Sequence, residues 1–318
     1  MAPPPPLPRF EVQLAPPDLD PWRDGNTGIP GVTSFAAHAP GPHVALLALA
    51  HGNEIAGAIV LDRLLRTGLR PGRGRLSFAF LNLAAFDRFD PRQPTLSRFI
   101  DEDMNRAWDP AVLDGPRRSC ELDRARAVRP FVETVDIALD LHSMLWDSDP
   151  LVLCGTSPQG RALGLALGTP PLVVADHGHA GGKRLIDYPR FTDPALPSAA
   201  VLIEAGQHWE PATVATTEAT VAALLHGQEM VASPAPPSFA RPRARLAEVT
   251  TVVTATTSSF TFVQPWRSGT VIPRRNTLLA FDGTVEIRTP HDECLIVMPS
   301  LRPSRGHTAV RLARIAAG

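Results

Sequence analysis

Residues 43–65 read HVALLALAHGNEIAGAIVLDRLL. The first eight, 43–50, form a nearly continuous apolar run of strand length, the pattern of a strand covered on both faces. From Glu54 to Arg66 the apolar positions Ile55, Ile59, Leu61 and Leu65 recur at helical spacing. The whole stretch is long enough to resemble a membrane span, but His51, Asn53 and Glu54 interrupt its middle at large cost in lipid. A strand leading straight into a helix is half of a βαβ unit, so a parallel sheet is the first expectation.

The pattern repeats outward. RLSFAFLNL (75–83), VDIALDLH (135–142), PLVLCG (150–155) and AAVLIEAG (199–206) read as further strands, with a helix over 119–133 and the start of another in RALGLALG. Beyond them, TTVVTATTSSFTFV, TVIPRRNTLLAF, GTVEIRT and CLIVMP are rich in β-branched residues and separated by turns. The expected fold is α/β, a mostly parallel central sheet with helices on both faces, plus a smaller C-terminal all-β domain.

Proline sets the expected boundaries. Five of the first eight residues are proline, and 1–14 is expected to be a disordered tail. SPAPPSFARPRAR, residues 233–245, reads as a linker between a domain at 15–232 and one at 246–318. At 318 residues the chain is long enough for two domains. No repeat of 20 to 50 residues, the period of a solenoid or propeller, recurs.

Composition narrows the partners. With 31 basic and 32 acidic side chains the net charge is −1, which argues against nucleic acid. Three cysteines, Cys120, Cys154 and Cys294, with no C-x-x-C spacing, give neither a disulfide framework nor a thiolate zinc site. The N-terminus lacks the basic start and apolar stretch of a secretory signal. These features predict a soluble cytoplasmic protein without a membrane partner; self-association is left open.

The chemistry gathers at strand ends. His51 follows the first strand and Glu54 opens the next helix, so one turn can aim both at a common point. His142 ends the strand over 135–142, and strand C-termini of a parallel sheet share one edge, where ligands bind. Two imidazoles and a carboxylate are a set that holds a catalytic zinc and leaves a position open. By itself the H-x-x-E spacing is weak, since such a pair also serves as a hydrogen-bonded helix cap, and Glu54 in a first turn suits the helix dipole anyway.

Four motifs in order carry a resemblance: HGNE (51–54), RFIDEDMNR (98–106), DLHS (140–143) and IEAGQH (203–208). Together they resemble the succinylglutamate desuccinylase/aspartoacylase family of the zinc carboxypeptidase superfamily. The resemblance spans about residues 40 to 210 and continues more weakly beyond. It implies an α/β zinc hydrolase domain, with one zinc ion per chain, whose β domain narrows access to the metal. His51, Glu54 and His142 match the zinc ligands, and Glu204 the carboxylate that activates water. Arg98 matches the residue that polarises the scissile carbonyl, and Asn105 and Arg106 the pair that binds an anionic group of a small substrate.

Further candidates follow. Asp140 lies two residues before His142 on the same strand face and could orient it through its second ring nitrogen. It could equally cap a turn. His177 and His179 form an H-x-H that reads more readily as loop than as a second metal site, and the same loop holds Arg184 and Tyr188, the latter a candidate for substrate binding. The family's C-terminal substrate-contacting tyrosine has no counterpart, because Tyr188 is the last tyrosine in the chain. The expected activity is hydrolysis of a small N-acyl amino acid or related N-acyl amine. The rivals are a metallocarboxypeptidase acting on peptides and a catalytically silent, metal-stabilised binding protein.

Overall fold

The computed structural model describes residues 8–179, 181–231 and 244–316. Its strands are β1 (Val32–Ala36), β2 (His43–Ala48), β3 (Arg75–Phe80), β4 (Ile137–Met144), β5 (Leu151–Leu153), β6 (Leu172–Ala175) and β7 (Ala199–Gln207), followed by β8 (Arg245–Thr254), β9 (Phe260–Phe262), β10 (Val271–Ile272), β11 (Leu278–Asp282), β12 (Val285–Arg288), β13 (Cys294–Val297) and β14 (Thr308–Ile315). The helices are α1 (Ile55–Arg66), α2 (Leu83–Phe86), α3 (Pro110–Leu113), α4 (Cys120–Val132), α5 (Pro158–Leu167), α6 (Pro189–Thr192) and α7 (Pro211–Gly227).

One sheet of eleven strands runs in the order β1-β3-β2-β4-β7-β5-β6-β8-β14-β13-β10, and a second sheet of three in the order β12-β11-β9. The large sheet is mixed, which corrects the expectation of a mostly parallel one. β3, β2, β4 and β7 are parallel neighbours, as are β5, β6 and β8. β1 runs antiparallel to β3 and β5 to β7, and β8, β14, β13 and β10 pair antiparallel throughout. The connection from β4 to β5 is too short for the crossover that a parallel return requires.

Alternation along the central strands divides the core into two layers. Val44, Leu46 and Ala48 face one side with α1 residues Ile55, Ile59 and Leu65, whereas Ala45 and Leu47 face the other with Leu122 and Val128 of α4. The apolar stretch from His43 to Leu65 is therefore largely buried against protein. No helix among the described residues is long and apolar enough to cross a membrane.

Both proline-rich segments lie largely outside the described residues: 1–7 of the expected tail and 233–243 of the expected linker. Within the tail segment, Phe10 meets the rings of Trp146 and Trp209 edge-on, and Gln13 donates its backbone N–H to the Trp209 carbonyl. Residues 10–13 are thus anchored on the protein rather than disordered. Arg245 is already the first residue of β8, paired with Leu172.

Candidate metal centre and active site

The motif residues enter one region because of where the strands stop. After β2 the chain turns through His51, and Gly52 lets it pass where no side chain fits: a Cβ there would lie 2.3 Å from the Ala85 carbonyl carbon and 2.6 Å from the Ser97 oxygen. Gly52 also donates its N–H to the Arg98 carbonyl, joining the first motif to the second. Glu54 sits at the N-cap of α1, yet its side chain caps nothing. It turns to the histidines instead, with His51 Nδ1 2.7 Å from Oε1 and His142 Nδ1 2.9 Å from Oε2. The Ser143 backbone N–H donates to the same Oε2.

β4 and β7 place Glu204 directly beside His142 in register. Just beyond, the register slips between His142 and Met144, where Gly206 adopts φ +129° and a Cβ would meet the Thr213 hydroxyl at 2.9 Å. This bulge bends the strand at the edge where the ligand-type residues collect. One Glu204 carboxylate oxygen is buried without a hydrogen-bond partner among the described residues.

His51, Glu54 and His142 are all buried, and one donor atom from each lies within 4.8 Å of the others. No other group of histidine, cysteine and carboxylate side chains among the described residues meets that criterion. The donors fit a metal ion. Ligands about 2.0–2.2 Å from zinc stand roughly 3.4 Å apart at tetrahedral angles, so small shifts from the present separations would admit one. The outward nitrogens fit as well: His51 Nε2 lies 2.8 Å from Asp103 Oδ1 and His142 Nε2 2.9 Å from Asp140 Oδ2. The Asp103 contact is a hydrogen bond that can hold the proton on His51 Nε2 and leave its Nδ1 lone pair for the centre, whereas Asp140 approaches His142 Nε2 without a well-formed hydrogen bond.

The charges follow from this packing. Burial opposes ionisation of Glu54, but His51 and His142 hold its carboxyl well below the usual range. Burial likewise disfavours the His142 cation, while Asp140 and then Glu54 raise it well above an ordinary histidine. Burial first, and the Glu54 charge second, push Glu204 up to about 8. Burial sends His208 down to about 4, a neutral imidazole whose Nδ1 sits 2.7 Å from the Ser143 hydroxyl.

The loop bearing the second motif is pinned from beneath by Glu121, which is fully buried at the start of α4. Its carboxylate accepts the backbone N–H groups of Ile100, Asp101 and Glu102 and the side-chain amide of Asn82. Arg98 consequently reaches the centre, donating to Glu54 Oε1 at 3.2 Å and Asp103 Oδ2 at 3.1 Å. Arg106 lines the same cavity of about 690 Å³, together with His179, Glu204, His208 and residues of the C-terminal sheet.

Other expected residues land differently. Asn105 borders the cavity, but its carbonyl accepts the Leu185 N–H and its amide nitrogen lies 3.3 Å from His142 Nε2, so it braces the site from behind. Tyr188 does not face substrate: its hydroxyl is hydrogen-bonded to Glu133 and Arg129 and its ring packs against Trp108, away from the cavity. Arg184 is locked to Asp176 and Asp187. His177 is exposed and His179 takes the Gly181 N–H on Nδ1. Asp103, His208 and Arg311 were not singled out by sequence. Asp103 is one of three successive acids, and Arg311 is one arginine among many.

A family model described as the succinylglutamate desuccinylase/aspartoacylase catalytic domain matches residues 40–227. The chain belongs to this family. Desuccinylase/aspartoacylase structures share its fold. Succinylglutamate desuccinylase from Vibrio cholerae is 17% identical, with 90% of this chain and 86% of that one covered at a TM-score of 0.68. Succinylglutamate desuccinylase/aspartoacylase from Rhodobacter sphaeroides is 17% identical, with coverages of 90% and 89% at 0.67. A product-bound ectoine utilization protein from Ruegeria pomeroyi is 17% identical, with coverages of 90% and 88% at 0.62. At such identities the likeness is one of fold. No curated protein matches the sequence significantly.

Proposed function

We propose that this desuccinylase/aspartoacylase-family protein is a zinc-dependent deacylase, cleaving the amide bond of a small carboxylate-bearing N-acyl amino acid or related N-acyl amine. The observation that carries this reading is the buried convergence of His51, Glu54 and His142 beside Glu204 at one cavity wall. Family membership supports amide hydrolysis as the reaction class.

His51 and His142 through Nδ1, and Glu54 through its carboxylate, would hold the ion. When bound, it would supply a Lewis acid and lower the pKa of water at the site. Glu204 is the general base: its unpartnered oxygen takes a proton from the attacking water and returns it to the departing nitrogen. Burial and the Glu54 charge together favour the protonated carboxyl near neutrality, and a divalent charge beside it would act in the opposite direction. Arg98 faces the negative charge that develops on the amide oxygen, and Arg106 meets an anionic group of the substrate. Asp103 fixes the His51 imidazole through its outer nitrogen, and the Asp140 carboxylate stands 2.9 Å from that of His142.

Met298, Ser304 and His307 of the C-terminal segment line the cavity together with the motif residues, which supports a small molecule over a polymer. A panel of N-acyl amino acids and a tetrapeptide, assayed with zinc-loaded protein, tests the reading. Glu204→Gln should keep its metal and lose turnover by a factor on the order of 10² to 10⁴. Full activity in that variant would exclude Glu204 as the base, and release of the tetrapeptide's last residue would favour a carboxypeptidase.

A further inference from the structure

Arg311 lies on β14, far along the chain from the motifs, and is 7% exposed. It borders the same cavity as His51, Arg106 and Glu204. Its Nε is buried and stands 3.3 Å from Asp176 Oδ2, without a well-formed hydrogen bond among the described residues. Asp176 is shared, because its oxygens also receive Arg184, at 2.7 and 3.1 Å, and the Arg311 Nε approach is the longer one. Arg184 also takes Asp187, so one arginine holds two carboxylates and its neighbour shares a fraction of one.

The surroundings sharpen the imbalance. Burial lowers Arg311 below the usual arginine range; Asp176, Glu204 and Asp187 oppose this, and Arg184 adds to it. Arg106 is lowered by burial too, with Asp103 opposing and Arg98, Arg311 and Arg184 adding. His179 is pushed down to about 4 by burial and then by Arg106 and Arg311. Arg106 and Arg311 therefore form one positive wall of the cavity, beside a neutral His179. A guanidinium largely held out of water with its Nε poorly matched is costly unless an anion completes it, and its planar fork suits a carboxylate.

We propose that Arg311 binds a carboxylate of the substrate opposite the Arg106 loop, so that strand β14 selects which amides are cleaved. This rests on the deacylase reading for the identity of the molecule, though not for the binding of an anion. Arg311 and Glu204 line the same cavity, which puts the carboxylate and the scissile amide in one pocket. It could belong to the acyl group or to the amine.

Three substrates separate these sources: an N-acetyl amino acid, an N-succinyl alkylamine and an uncharged N-acetyl alkylamine. Arg311→Gln should raise KM about 10- to 100-fold for one or both carboxylate-bearing amides relative to the uncharged one. Arg311→Lys, which keeps the charge without the fork, should fall between. In parallel, calorimetry with succinate on metal-free protein should show binding by the wild type and at least about tenfold weaker binding by Arg311→Gln. Loss of succinate binding in the variant, with no amide hydrolysed by the wild type, would uphold the anion site and remove the deacylase reading. Hydrolysis with unchanged relative KM and unchanged succinate affinity would overturn the role of Arg311 alone. Should Arg311→Gln fail to fold, the same two measurements on Arg311→Lys decide, and wild-type values there would overturn the proposal.

Discussion

At the scale of single residues, the centre depends on which nitrogen of each histidine points inward. Asp103 and Asp140 stand behind the imidazoles, 2.8 and 2.9 Å from the outer nitrogens, and Glu54 stands before them. Arg98 also approaches His51 Nε2, at 2.9 Å, and one ring nitrogen cannot donate to Asp103 while accepting from Arg98. A cation on Nδ1 would resolve the competition by taking the ring's lone pair and leaving the proton for Asp103. Asp103→Ala should accordingly weaken zinc affinity by about 10- to 100-fold in a competition titration. His142→Ala should lose the metal during dialysis, as elemental analysis would read. Equal zinc content and affinity in both variants would contradict the assigned ligand set. His51, Glu54 and His142 could be named from the sequence because strand ends and short-range spacing bring them forward. Asp103 could not, because only the turn of its loop distinguishes it from Asp101 and Glu102.

At the scale of elements, β4 and β7 supply the edge that carries His142 and Glu204, and the loop over 98–106 is held to the start of α4 by Glu121. That carboxylate gathers three successive backbone N–H groups, so the loop's shape is specified from α4 rather than by its own sequence. Glu121→Ala leaves those donors without their acceptor and should cost at least about 2 kcal/mol in urea unfolding. It should also reduce turnover more than a surface glutamate substitution, because Arg98 and Asp103 ride on the freed segment. The helical period of α1 and the apolar runs of β2, β3, β4 and β7 were legible from pattern. The reversed direction of β5 was not, since three buried apolar residues look alike in either sense. The place of Tyr188 was not legible for a related reason: its position near a glycine-rich loop says nothing of the Glu133 and Arg129 side chains that claim its hydroxyl.

Across the whole molecule, the C-terminal segment extends the central sheet. β8 pairs with β6 on one side and β14 on the other, and Ala247, Leu295, Val297 and Ala313 share a core layer with Leu172, Val174 and Leu202. A chain ending at residue 231 would expose the β6 edge and that apolar layer. It should be insoluble or lack a cooperative melting transition; a soluble, cooperatively melting fragment would show instead that residues 15–232 fold alone. Local periodicity in the amino-acid sequence was enough to determine the α/β class, and four short motifs carried the resemblance to the family and put forward the three ligand-type residues, because each motif is written within a few residues of chain. Tertiary structure alone decided the sheet's mixed direction, the backing carboxylate Asp103 and the arrival of Arg311 at the cavity. Those depend on contacts between segments tens to hundreds of residues apart, and burial and charge there are properties of the packed neighbours, absent from any local stretch.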